Sequence, residues 1–128
     1  MAENQKVLVM DDNEMILTLV TSILELHDFV VETAVDGVIA IEKYQQAMHE
    51  EKAFDLVIMD LSIPKGMGGK EAVLEILKID PSAKCVVSSG YASDPIMKNF
   101  SDYGFKGVIT KPFVVSELIA GLTKVINS

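Results

Sequence analysis

Two adjacent aspartates, Asp11 and Asp12, follow the apolar run V-L-V-M, and a third, Asp60, closes the run L-V-I-M-D. Further along, Ser88-Ser89-Gly90 follows C-V-V, and Thr110-Lys111-Pro112-Phe113 follows G-V-I. Carboxylates bind hard cations or act as nucleophiles, a serine hydroxyl donates a hydrogen bond, and lysine supplies positive charge. Each residue alone has an ordinary explanation. Asp12 or Asn13 would cap a helix, Asp60 would open a turn before Pro64, Ser89-Gly90 would be a turn, and Lys111 a surface charge. The set acquires chemical meaning only if the fold gathers it at one edge.

The elements that would gather it are legible in the pattern. Residues 6–10, 30–34, 56–59, 85–89 and 107–110 are short, mostly apolar runs without strict alternation. That is the pattern of parallel strands covered on both faces. Between them apolar residues recur at helical steps: Ile16, Val20, Ile23 and Leu26; Val38, Ile41, Tyr44 and Met48; Val73, Ile76 and Leu77; Ile96, Met97, Phe100 and Tyr103. A last stripe comprises Val115, Leu118, Ile119, Leu122, Val125 and Ile126. These stripes are read as core packing, and the polar stretch 49–52 as a solvated helix end. Five β/α units in 128 residues imply an α/β fold with one doubly wound parallel sheet. Ligands of such sheets bind beyond the carboxyl ends of the strands, where the strand order reverses. Asp11-Asp12, Asp60, Ser89 and Lys111 all fall at that edge.

Composition narrows the alternatives. Nineteen acidic against 11 basic residues give a net charge of −8, which argues against direct nucleic-acid binding and favours cations. One cysteine, Cys85, excludes an internal disulfide and is read as a buried strand thiol. No run approaches a membrane span and nothing resembles a signal peptide, so a reducing cytoplasmic location is expected. Adjacent strand tips lie ~5 Å apart and tips two places apart ~10 Å, a gap a lysine stem largely crosses. Three carboxylates so crowded raise one another's pKa. A hard divalent cation relieves that repulsion, and an oxygen donor set with room for water suits Mg²⁺. His27, His49 and Cys85 lie away from these ends, which argues against zinc.

The motifs M-D-D-N, V-I-M-D-L-S-I-P, S-S-G-Y and I-T-K-P-F, in this order and spacing, resemble the receiver domain of two-component response regulators. The stretches M-D-L-S-I-P-K-G-M-G-G and V-V-S-S-G-Y-A are similar to receivers of hybrid sensor histidine kinases. The resemblance implies a flavodoxin-like (βα)5 fold with strand order 2-1-3-4-5 and a single receiver domain over residues 1–128, alone or cut from a longer protein. It also implies that Asp60 is the phosphoacceptor, that Asp12 binds Mg²⁺ directly, and that Asp11 acts mainly through coordinated water. The Ser62 backbone carbonyl would be a further ligand, Ser89 the switch hydroxyl and Lys111 the phosphoryl contact. The Lys111–Pro112 bond would be cis. The implied donor is a histidine kinase or histidine phosphotransfer domain. The implied output surface is helix four, strand five and helix five (residues 96–126), which also serves homodimers.

Two features depart from the family pattern. Val108 stands where many receivers carry an aromatic switch, leaving Tyr91 as a substitute, and the glycine-rich segment 65–69 holds an extra residue and is expected to be mobile. Three rivals remain: a flavin-binding protein, a Mg²⁺-dependent phosphatase with its nucleophile on strand one, and a degenerate receiver used only for docking. Asp11-Asp12-Asn13-Glu14 would repel a flavin phosphate, and it lacks the phosphatase D-x-D spacing.

Overall fold

The computed structural model describes residues 4–128. Strands β1 (Lys6–Met10), β2 (Val30–Ala34), β3 (Leu56–Asp60), β4 (Cys85–Ser89) and β5 (Gly107–Thr110) form one parallel sheet in the order β2-β1-β3-β4-β5. This is the flavodoxin-like arrangement. The order reverses between β1 and β3, which places their carboxyl ends at the switch point. Strand β3 runs one residue further than its apolar pattern suggests, because Asp60 still pairs with Ser88.

The pleat divides the core in two. Val7, Val9, Leu56, Ile58, Val86 and Ile109 pack on one face against helices α1 (Glu14–Leu26) and α5 (Val115–Ile126). Leu8, Met10, Val57, Met59, Cys85 and Val87 pack on the other against α2 (Gly37–His49) and α3 (Gly69–Ile79). Every residue of β3 and β4 is buried, as their unbroken apolar runs require of central strands. Cys85 is fully buried, and desolvation pushes its thiol up to about 12.

Three helical faces differ from the sequence pattern. In α1 the buried residues are Leu17, Val20, Ile23 and Leu24, while Leu26 is 82% exposed in the last turn. In α2 the inward face is Gly37, Ala40, Tyr44 and Ala47, and Val38 is exposed. Small residues there let α2 pack closely, and the Tyr44 hydroxyl donates to Asp80 at 2.7 Å. The fourth helix is broken. Helix α4 covers only Pro95–Lys98 and gives way to a 3-10 turn at Phe100–Tyr103. At Asn99 the backbone leaves helical geometry (φ −121°, ψ 41°), and its side-chain amide donates to the Pro95 carbonyl at 3.2 Å. Such local bonding competes with helix propagation. Gly104 then closes the turn with φ 98°, a conformation that favours glycine. The polar stretch after α2 is a helix end, with Glu51 at φ 58°. No described helix is long and apolar enough to cross a membrane.

Candidate functional site

Asp11 immediately follows β1. Its backbone N–H extends the ladder to the Ala34 carbonyl at 3.0 Å, and this holds the residue at the sheet edge with only 2% exposure. One carboxylate oxygen accepts from the Asn13 N–H at 2.9 Å, and the other accepts from Lys111 Nζ at 2.6 Å. Helix capping falls to Asn13, whose side-chain oxygen accepts from the N–H groups of Met15 and Ile16. Asp12 is therefore not needed as the cap, and it is exposed at the pocket mouth. Asp60, at the tip of β3, is 9% exposed and lies 3.5 Å from Lys111 Nζ.

Asp11, Asp12 and Asp60 each present an oxygen within 4.8 Å of the others. Burial pushes the Asp60 carboxyl up to about 6, and the neighbouring Asp11 charge adds to the rise. Lys111 opposes this shift, and Asp12 reinforces it. Three carboxylates against one ammonium leave two negative charges uncompensated, and every donor is a hard oxygen. That set fits a small divalent cation such as Mg²⁺ and does not fit a soft metal.

The remaining residues named from the sequence lie on the neighbouring strands and the loops that follow them. Ser89 ends β4 one residue beyond Ser88, the partner of Asp60, and its hydroxyl oxygen accepts from the Tyr91 N–H at 3.1 Å. The Lys111 N–H donates to the Ser89 carbonyl at 2.9 Å, so the backbone ties these two residues together. The Lys111–Pro112 peptide is cis. Ser62 is exposed two residues beyond Asp60 and lines a cavity of about 260 Å³ with Leu61, Ile63, Gly68 and Ile96. Val108 is exposed on β5, and Tyr91 points largely into solvent.

The glycine-rich segment 65–69 makes two backbone hydrogen bonds in this structure: the Gly37 N–H donates to the Met67 carbonyl at 2.7 Å, and the Gly66 N–H to the Ile63 carbonyl at 3.2 Å. The strand-end geometry brings Lys111 to these carboxylates, and the structure adds its hydrogen-bonded partner, Asp11, 100 positions away in the sequence.

Fold and pocket together define a class: a doubly wound α/β domain with an acidic, lysine-bearing pocket at its switch point. The comparisons agree. The family model of the response regulator receiver domain matches residues 7–123. Chemotaxis protein CheY of Thermotoga maritima is 33% identical over 122 residues, spanning 94% of this chain and 97% of that protein. The receiver domain of sensor histidine kinase PA1611 from Pseudomonas aeruginosa PAO1, solved with magnesium coordinated in its active site cleft, superposes with a TM-score of 0.85 at 23% identity. That match covers 98% of this chain and 99% of the other. A chain of the CheX-CheY-BeF3-Mg²⁺ complex from Borrelia burgdorferi gives a TM-score of 0.85 at 26% identity, covering 94% and 88% of the two chains. The chain belongs to the response regulator receiver domain family of two-component signalling.

Proposed function

We propose that Asp60 accepts a phosphoryl group from a phosphohistidine of a histidine kinase or histidine phosphotransfer domain, and that Asp11, Asp12, Asp60 and the Ser62 carbonyl hold Mg²⁺. The observation that carries this reading is the convergence of three carboxylate oxygens within 4.8 Å beside Lys111. In transfer, the phosphorus–nitrogen bond to imidazole breaks as a bond to an Asp60 oxygen forms. Mg²⁺ held by these residues would supply charge neutralisation for the phosphoryl oxygens. Lys111 adds a second positive charge, and Asp11 keeps its ammonium aimed into the pocket. The Ser89 hydroxyl would turn to donate to a new phosphoryl oxygen, a reading supported by its place at the end of β4 beside the strand that carries Asp60. That turn would release the Tyr91 N–H and bias the short α4 segment.

The β1 carboxylates are poorer nucleophile candidates. Asp11 is engaged by Lys111 and the Asn13 N–H, and Asp12 is exposed. This counts against a phosphatase acting through β1. The pocket residues themselves argue against a pure docking module. The module has no separate substrate and acts on its own phosphorylation state. The output surface, and a possible homodimer contact, is assigned to α4, β5 and α5 between Ile96 and Ile126. There, exposed Val108 lines a groove of about 360 Å³ reaching Phe100, Lys124 and Val125. The test is Mg²⁺-dependent labelling by acetyl phosphate, read by intact mass. Wild-type protein is expected to gain one phosphoryl group and Asp60→Asn none. Equal labelling of both would reject the assignment.

A further inference from the structure

The loop after β3 starts directly after Asp60 and includes Ser62, and its far end is pressed against a helix that contributes no pocket residue. Gly37, the first residue of α2, donates its N–H to the Met67 carbonyl at 2.7 Å. A methyl group placed on Gly37 would lie 2.7 Å from Met67 Cγ, 2.8 Å from Sδ and 2.9 Å from the Met67 carbonyl oxygen. The next two residues transmit the contact. A methyl group on Gly68 would lie 2.6 Å from the Leu61 carbonyl oxygen and 3.2 Å from the Ile63 nitrogen, the backbone on either side of Ser62. On Gly69 it would lie 2.9 Å from the Asp60 carbonyl oxygen. Thus α2 bears on Met67, and the residues after Met67 lie directly against the backbone of Asp60 and both neighbours of Ser62. Packing this close does not deform gradually.

We propose that Gly37 and Met67 form a latch that positions the Ser62 carbonyl and Asp60 for the cation, making Gly37 and Met67 positioning residues for the site. The inference rests on the reading of Asp60 and Ser62 as cation ligands. Gly37 is a clean probe because it has no positive φ, so alanine there adds a methyl group without backbone strain.

Mg²⁺ is titrated into the metal-free full chain by calorimetry, with amide resonances of residues 61–68 followed in the same variants. Gly37→Ala is expected to shift those resonances before any metal is added and to weaken Mg²⁺ binding about tenfold, the usual scale for disturbing support behind a ligand. Its melting in chelator is expected to remain cooperative. Labelling by acetyl phosphate is expected to need more Mg²⁺ for half-saturation. Met67→Ala is expected to weaken binding by a smaller factor. Because two of the three close approaches are to the Met67 side chain and the third, at 2.9 Å, is to its carbonyl oxygen, the double variant is expected to recover most of the way from Gly37→Ala toward Met67→Ala alone. Wild-type Mg²⁺ affinity in both single variants overturns the latch and leaves the reading of Asp60 standing. A double variant as weak as Gly37→Ala also overturns it. Wild-type protein that binds no Mg²⁺ defeats that reading, and the latch with it.

Discussion

Replacing Asp60 by asparagine is expected to stabilise the protein when no divalent cation is present. The Asp60 carboxyl titrates near 6 in the folded chain against 3.8 in the absence of its surroundings. A shift of ~2 units corresponds to about 3 kcal/mol before solvent screening at the pocket mouth, and to about 1–2 kcal/mol after it. The sign follows from proton linkage. The folded state favours the protonated carboxyl, so the cost is absent below pH 3.8, grows as the pH rises, and is complete above pH 6. Asparagine has the same shape and no charge, and so it escapes that cost. The assay is urea unfolding in chelator, followed by circular dichroism, at pH 7.5 and pH 4. Asp60→Asn is expected to exceed wild type by about 1–2 kcal/mol at pH 7.5, or ~4–8 °C in melting temperature, and to approach it at pH 4. A variant no more stable than wild type at pH 7.5, or an advantage unchanged at pH 4, would refute the crowding argument.

Three other outcomes follow from the same geometry. Lys111→Met leaves the buried Asp11 carboxylate with only the Asn13 N–H, and it is expected to lower stability at pH 7.5 by about 1–3 kcal/mol in denaturant unfolding. Asn13→Ala removes the cap of α1 and is expected to cost about 1 kcal/mol, while Mg²⁺ affinity by calorimetry stays near wild type. Mg²⁺ affinity is expected to fall as pH drops below about 6, where protons compete for Asp60, and to level off above pH 7. A flat calorimetric profile from pH 5 to 8 contradicts Asp60 as a ligand.

The strands were legible because buried parallel strands read as plain apolar runs, and all five appear where V-L-V-M, L-V-I-M and their counterparts predict. The convergence of Asp11, Asp12, Asp60 and Lys111 was legible for a related reason. Each follows a strand directly, and a parallel sheet sends all its strand ends to one edge. What escaped was contact detail that spacing does not encode. Leu26 belongs to an apolar stripe in the sequence but lies on the solvent side of α1. The apolar arc of that helix is wider than the face the sheet covers, and Met15 and Leu19 on the same side are exposed too. The glycines at 66, 68 and 69 suggested mobility. In the fold, Gly68 and Gly69 permit close approach to the backbone of Leu61 and Asp60, and the Gly37 N–H donates to the Met67 carbonyl. The break at Asn99 depends on a side-chain bond to Pro95 that periodicity does not register.

The most direct test of the central claim is a Mg²⁺ titration of uniformly labelled, metal-free protein at pH 7.5, followed by heteronuclear NMR. The account predicts saturable shifts centred on the amides of Asp11, Asp12, Asp60 and Ser62, lost in Asp60→Asn. Resonances that stay unmoved at millimolar Mg²⁺, or move equally in the variant, would contradict it.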